Sequence, residues 1–214
     1  MITMKRNGKK LFLRRLVGGV SHHINKSLFY LLHKHEYIKL YYSDNIQKPL
    51  LITPFCVELG ENVNIWYNAR IQGIKKYNNE DFSPHIIIRD GVSIQQNIHL
   101  TCASCIDIGA NTAIAANVTI TDIHHPYDDI SIPIEKQDIK VSPVKIGKDC
   151  KIYNNAVILP GTVIGNHVTI GANSLVSGKI PDYTVVVGTP AFIIKRYDES
   201  NKTWRRTNKN GDFI

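Results

Sequence analysis

The sequence predicts an all-β protein wound as a parallel β-helix, and three observations predict it. From Ile146 to Pro181 an aliphatic residue stands at every sixth position: Ile146, Ile152, Ile158, Ile164, Ile170 and Val176. Four places after each comes Cys150, Ala156, Thr162, Val168, Ser174 or Ile180, mostly small or β-branched. Glycine often follows the aliphatic residue, at Gly147, Gly165 and Gly171. A period of six is neither the 3.6 of a helix nor the two of one long strand. It suits a triangular coil in which the aliphatic side chain points into a prism and stacks on its equivalents above and below. Gly, Asn and Asp near the corners tolerate the turn conformation. Three sixes make one coil, and neighbouring coils supply each other's strand hydrogen bonds.

The period recurs upstream with phase slips. Leu59, Ile65 and Ile71 keep it, as do Ile88, Ile94 and Leu100, and then Ile108, Ile114 and Ile120. The slips fall at 72–87, 101–107 and 122–145, and each predicts a loop thrown out of the prism. The longest excursion, about 123–143, interrupts an otherwise good repeat, and such excursions from a regular scaffold commonly carry function.

The flanks differ. Residues 9–42 read as helix with an apolar and a basic face, which Gly18-Gly19 can break. One reading is a cap on the open end of the prism, with Phe29, Tyr30, Tyr37 and Tyr41 as packing residues. The other is a surface helix touching anionic lipid. The chain thus divides into a basic, partly helical cap over 1–50, a β-helix over 51–190 and a basic tail over 191–214.

Composition narrows the classes. The 214 residues are 43% hydrophobic and 21% charged, as in a globular protein. No apolar run approaches the roughly 20 residues of a membrane-spanning helix, and the basic start is followed by no secretory hydrophobic stretch. The four cysteines do not form a disulfide framework, so a cytoplasmic setting is expected. Cys102 and Cys105 make a CxxC with no second ligand pair, so no metal site is expected. The net charge of +8 is concentrated at the ends, in Lys5, Arg6, Lys9, Lys10, Arg14 and Arg15, then Lys195, Arg196, Lys202, Arg205, Arg206 and Lys209. No nucleic-acid module is readable, and the phosphate of a small ligand or lipid is the better partner.

The reactive residues concentrate at Thr121-Asp122-Ile123-His124-His125-Pro126-Tyr127-Asp128-Asp129, the mouth of the long excursion. Histidine titrates near neutrality and suits proton transfer. Two histidines beside a carboxylate at a loop entrance point to acid–base chemistry.

The repeat, the Asp-x-x-His ahead of a long loop, and the phrase running from Pro143 to Asp198 resemble the hexapeptide-repeat acyltransferases, closest to the sugar and polysaccharide O-acetyltransferases of maltose, galactoside, O-antigen and capsule types. The resemblance implies a left-handed winding of the β-helix, a homotrimer, and acetyl-CoA as co-substrate. It implies His125 as general base, with Asp122 orienting its ring or binding sugar. His124 is the lesser candidate for the base and, with Tyr127, a candidate for acceptor binding, and Asn97 matches the family's substrate asparagine. Coenzyme positions match Asn154, Ala172, Ser177 and Lys195. Phe192 replaces a family arginine, so Arg196 is expected to complete the phosphate clamp. A carbohydrate acceptor in surface polysaccharide synthesis is implied. The same fold also serves amine acceptors, such as an aminosugar nucleotide or an antibiotic. A non-catalytic scaffold would need neither the histidines at the loop nor the basic pair after Gly188-Thr-Pro. The enzyme is expected in the cytoplasm, with a peripheral membrane contact through the basic N-terminus as the further option.

Overall fold

A computed structural model describes residues 26–208 and 211–214. The chain winds as a left-handed parallel β-helix of triangular section. The first wall holds Val57–Leu59, His85–Ile88, Cys105–Ile108, Val144–Ile146, Val163–Ile164 and Lys179–Ile180. The second holds Asn45–Ile46, Asn64–Ile65, Ser93–Ile94, Ala113–Ile114, Lys151–Ile152, Thr169–Ile170 and Thr184–Gly188. The third holds Leu51–Ile52, Arg70–Gly73, His99–Cys102, Thr119–Thr121, Val157–Ile158 and Leu175–Val176. The prism therefore starts at Asn45, a little before the expected boundary at 51.

The expected stacking is present in register. Leu59, Ile88, Ile108, Ile146, Ile164 and Ile180 pair in turn along the first wall. Ile65, Ile94, Ile114, Ile152, Ile170 and Val186 do so along the second. Ile71, Leu100, Ile120, Ile158 and Val176 do so along the third. Nearly all of these side chains are fully buried, each worth about 1.5–3 kcal/mol of apolar transfer. Glycine after the aliphatic residue has a steric cause. A Cβ on Gly147 would stand 2.3 Å from the carbonyl oxygen of Gly165 in the next coil.

Two corners are regular. Where the first wall turns into the second, Asn62, Gly91, Asn111, Asp149, His167 and Tyr183 each take a left-handed backbone, φ between 53° and 67°. Where the second turns into the third, Asn68, Asn97, Asn117, Asn155 and Asn173 do the same, φ 57–60°. Asparagine is among the few side chains that accept this conformation readily. The third corner has no such column. Its coils close through a 3-10 turn at Pro54–Cys56, an excursion over 74–83, a tight turn at Ala103-Ser104, the long excursion, and glycine turns at Gly161 and Gly178. The slip at 101–107 is thus a tight corner rather than a protruding loop.

The expected helix over 9–42 is only partly observed. Residues 9–25 lie outside the described residues, 26–33 are helical, and 34–42 are turns with a bridge from Lys39 to Glu58. That stretch leaves the helix because the first coil presents open backbone groups: Ile38 N–H donates to Val57 O at 3.0 Å, and Leu59 N–H to Lys39 O at 2.9 Å. Phe29, Tyr37 and Leu40 pack on the core. At the other end, the expected tail is ordered sheet: Ala191–Asp198 returns antiparallel along Thr184–Gly188, and Thr203–Arg206 pairs with it.

Candidate active site

Both long excursions leave the third corner, with one coil between them. The first contains the hairpin Lys76–Tyr77 with Glu80–Asp81. The second begins and ends in the antiparallel pair Ile123–His124 with Lys140–Val141. Its interior is held by Gln137, a buried side chain whose amide donates to Asp129 O at 2.9 Å. Buried Pro126 and Ile139 anchor its two arms.

The coil between the excursions stays flat because of Asp122. Its carboxylate is fully buried and accepts hydrogen bonds from Ala103 N–H at 2.8 Å, Ser104 N–H at 2.7 Å and Cys102 Sγ at 3.3 Å. The resemblance implies that Asp122 holds the histidine ring or a sugar, whereas the hydrogen bonds seen are those to the turn. Both oxygens are engaged in closing the turn, and no described hydrogen bond from them reaches either histidine. Burial, with Asp122 beside it, pushes the Cys102 thiol far above its ordinary range, so the thiolate is disfavoured. Cys102 and Cys105 mark this turn, and among the described residues no group of three His, Cys, Asp or Glu is placed to hold a metal ion.

The two histidines part company. His124 pairs across the loop base with Lys140 and lies 6.2 Å from the Tyr127 ring. His125 turns toward the other excursion, its ring 5.4 Å from Tyr77 and steeply inclined at 75°. His125 is exposed and stands at the edge of the third wall. The outer surface of that wall carries residues the sequence reading did not single out. Arg70, His99 and Thr119 occupy one register row, and Gln72, Thr101 and Thr121 the next. Arg70 donates to Gln72 through Nε at 3.1 Å. Burial and the Arg70 charge lower the His99 pKa, favouring neutral imidazole. Alternation along Arg70–Gly73 and His99–Cys102 was the available signal: these polar residues share the face opposite the core.

Asn97, the substrate asparagine that the resemblance implies, is engaged along the second corner. It sits in a ladder along the second corner, in which Asn68 donates to Asn97 at 3.2 Å, Asn97 to Asn117 at 3.0 Å, Asn117 to Asn155 at 3.1 Å and Asn155 to Asn173 at 3.1 Å. Its side chain and its φ of 60° both belong to the corner, away from His125.

Of the coenzyme candidates, Asn154 and Ala172 are exposed at this second corner and Ser177 at the third, so they flank the upper third wall. Lys195 and Arg196 do not share a face of their strand. Neighbours in one strand face opposite ways. Arg196 donates to Gly211 O at 3.2 Å and lies 5.6 Å from the Phe213 ring. Lys195 is exposed and pairs directly with Arg206. Among the described residues neither Lys195 nor Arg206 makes an ion pair, and like charges placed opposite one another are unfavourable without an anion.

Residues 143–178 match the family described as bacterial transferase hexapeptide (six repeats). WbbJ of Escherichia coli, whose name places it in lipopolysaccharide biosynthesis as an O-acetyl transferase, is 38% identical over 128 residues, 56% of this chain and 65% of WbbJ. The galactoside O-acetyltransferase of Escherichia coli is 33% identical over 118 residues, 54% of this chain and 57% of the relative. The chain thus spans less than two thirds of either relative's length. A hexapeptide-repeat containing acetyltransferase from Vibrio cholerae superposes with a TM-score of 0.51 at 20% identity, over 87% of this chain and 92% of that one. That likeness bears on the fold.

Proposed function

We propose that this chain, whose residues 143–178 match the bacterial transferase hexapeptide family, transfers an acetyl group from acetyl-CoA to a sugar hydroxyl in surface-polysaccharide synthesis. The observation that carries this reading is the placement of His125. It stands at the mouth formed by two excursions, beside a wall of outward polar side chains. A sugar hydroxyl hydrogen-bonded to His125 would yield its proton as the oxygen attacks the thioester carbon. The thiolate of coenzyme A then leaves and takes that proton. A positioned base of this kind contributes roughly 10²–10⁴-fold. The row of Arg70, His99 and Thr119 with Gln72, Thr101 and Thr121 supplies the alternating donors and acceptors that sugar hydroxyls need.

The coenzyme's phosphates suit Lys195 and Arg206. These lie on the extension of the second wall, the one wall that does not meet the third corner. His125 and this cation pair are therefore on different sides of one prism. A second copy alongside would bring one copy's cations to the other's histidine, which favours the homotrimer.

The test is thiol release from acetyl-CoA with candidate glycans as acceptors, in wild type and His125→Ala. A drop of at least about 10²-fold is expected, and near-wild-type turnover in the variant would sink the assignment. Mild alkali separates the acceptor classes: an O-acetyl ester is cleaved and an N-acetyl amide survives. The cytoplasmic placement belongs to the same proposal. For contact with anionic lipid, the support is the outward face of the helix, where Leu28, Leu31 and Leu32 are 52–62% exposed beside the basic N-terminal sequence. Flotation with anionic and neutral vesicles tests it.

A further inference from the structure

Among the described residues no carboxylate is bonded to His125 to aim it. Among the described residues no hydrogen bond to either of its ring nitrogens is formed, and Asp122, three residues before it, is engaged elsewhere. An exposed imidazole turns broadly about its last side-chain torsion, whereas a general base must present its lone pair to one proton. Something other than a carboxylate has to limit that rotation.

The hairpin of the first excursion reaches across the flat coil and grips the long loop twice. Tyr77 donates its hydroxyl hydrogen to Glu135, with both the carboxylate Oε2 and the main-chain oxygen at 2.9 Å. Asn78, in a left-handed conformation at φ 50°, donates its side-chain amide to Gln137 O at 3.3 Å. Gln137 is the residue that holds the loop's interior together through Asp129. The body of Tyr77, between its tethered hydroxyl and its backbone in the hairpin, lies against the His125 ring at 5.4 Å and 75°. One side chain thus touches the imidazole and the loop that carries it. Because the hydroxyl is pinned at the far end, the aromatic ring cannot swing away from the histidine without breaking the Glu135 bond.

We propose that Tyr77 is the positioning residue of His125: its ring fixes the imidazole's orientation, and its hydroxyl, through Glu135, makes that orientation depend on the loop being docked on the hairpin. Steeply inclined aromatic pairs of this separation are a favoured geometry, so the contact favours one orientation of the ring. This inference rests on the reading of His125 as the base.

Steady-state kinetics of purified full-length protein test it, with acetyl-CoA and an acceptor that the wild type acetylates. Tyr77→Leu is expected to lower kcat about 10–100-fold, as small misplacements of a catalytic group do, with KM for acetyl-CoA unchanged. Tyr77→Phe keeps the ring and loses the tether, so it is expected to recover most of that loss. In the His125→Ala background Tyr77→Leu is expected to cost nothing further, because a residue acting through another has no effect once the other is gone. Equal losses in both backgrounds, or a Leu variant within twofold of wild type, would overturn the proposal. Should Tyr77→Leu melt early, Tyr77→Phe carries the test. It is expected to lower kcat about threefold to tenfold without moving KM for acetyl-CoA, and an unchanged kcat refutes the tether. The two readings fail separately. An active His125→Ala removes the base itself, whereas an inactive His125→Ala with a normal Tyr77→Leu removes only the positioning.

Discussion

The second and third corners of this prism connect the same number of coils and share the third wall, yet they are built on opposite principles. The second corner repeats one device, a left-handed asparagine whose amide bonds to the next. The third corner uses a different closure in almost every coil. Where every coil turns alike, side chains stack into a ladder and their hydrogen-bonding capacity is turned on themselves. Where they turn unlike, backbone leaves the prism and side chains remain free to meet. Regularity supplies the scaffold, and the irregular corner supplies the two excursions between which His125 meets Tyr77. Asp122 shows how the irregular corner is kept from fraying: a buried carboxylate does there, once, what the asparagine column does repeatedly elsewhere.

The sharpest way to break this contrast is to remove that carboxylate. Asp122→Ala leaves the buried N–H of Ala103 and the part-buried N–H of Ser104 without an acceptor. Two charge-assisted bonds lost at these donors predict a destabilisation of about 2–4 kcal/mol, read by chemical denaturation. Asp122→Asn separates the structural role from a catalytic one. An amide retains one acceptor oxygen but turns an N–H₂ toward a backbone donor, so stability should still fall by about 1–2 kcal/mol. An Asp122→Asn protein of wild-type stability with kcat reduced 10²-fold would restore the ring-orienting role that the geometry takes away.

The second comparison is within the ladder. Asn117→Ala loses two amide bonds and forces a Cβ-bearing residue into the left-handed region, at about 1–2 kcal/mol for the backbone alone. Asn117→Gly loses the bonds and keeps the conformation. The alanine variant should therefore be the less stable by about 1 kcal/mol, and both should keep full turnover. Asn97→Gly should behave like Asn117→Gly. If Asn97→Gly folded normally but lost acceptor affinity, this corner would carry function as well as structure.

What was legible from the sequence follows the same division. The columns of aliphatic residues were readable because inward stacking imposes a strict period, and the interruption at 123–143 was readable as a break in it. His125 followed from that break and from the family resemblance. Residues whose meaning depends on a neighbouring coil were not readable. Asn97 looked like a ligand because, in one coil, a corner asparagine and a binding asparagine are the same letter; only its bonds to Asn68 and Asn117 tell them apart. Tyr77 and Glu135 are 58 positions apart, and nothing local links them. Arg196 looked like the natural partner of Lys195 because they are adjacent, yet adjacency along a strand puts them on opposite faces.

That last point gives the smallest expected effect. Lys195 and Arg206 lie directly opposite in the antiparallel pair, and a bound phosphate would relieve their mutual repulsion. Arg196 is turned to Phe213 and Gly211, and Arg205 beside it pairs with Asp198 at 3.0 Å. Lys195→Ala and Arg206→Ala should each raise KM for acetyl-CoA about threefold to tenfold, about 1 kcal/mol in binding, with kcat little changed. The effect should shrink at high salt, since the cations are exposed. Arg196→Ala should leave KM where it is and instead loosen the C-terminal strand against Phe213, seen as a lower melting temperature. Acetyl-dephospho-CoA sharpens the assignment further. If the pair grips the 3′-phosphate, the wild type should weaken toward this analogue, and Lys195→Ala and Arg206→Ala should each distinguish the two thioesters less than the wild type does. Discrimination lost on Arg196→Ala instead would mean that the strand binds coenzyme through its other face.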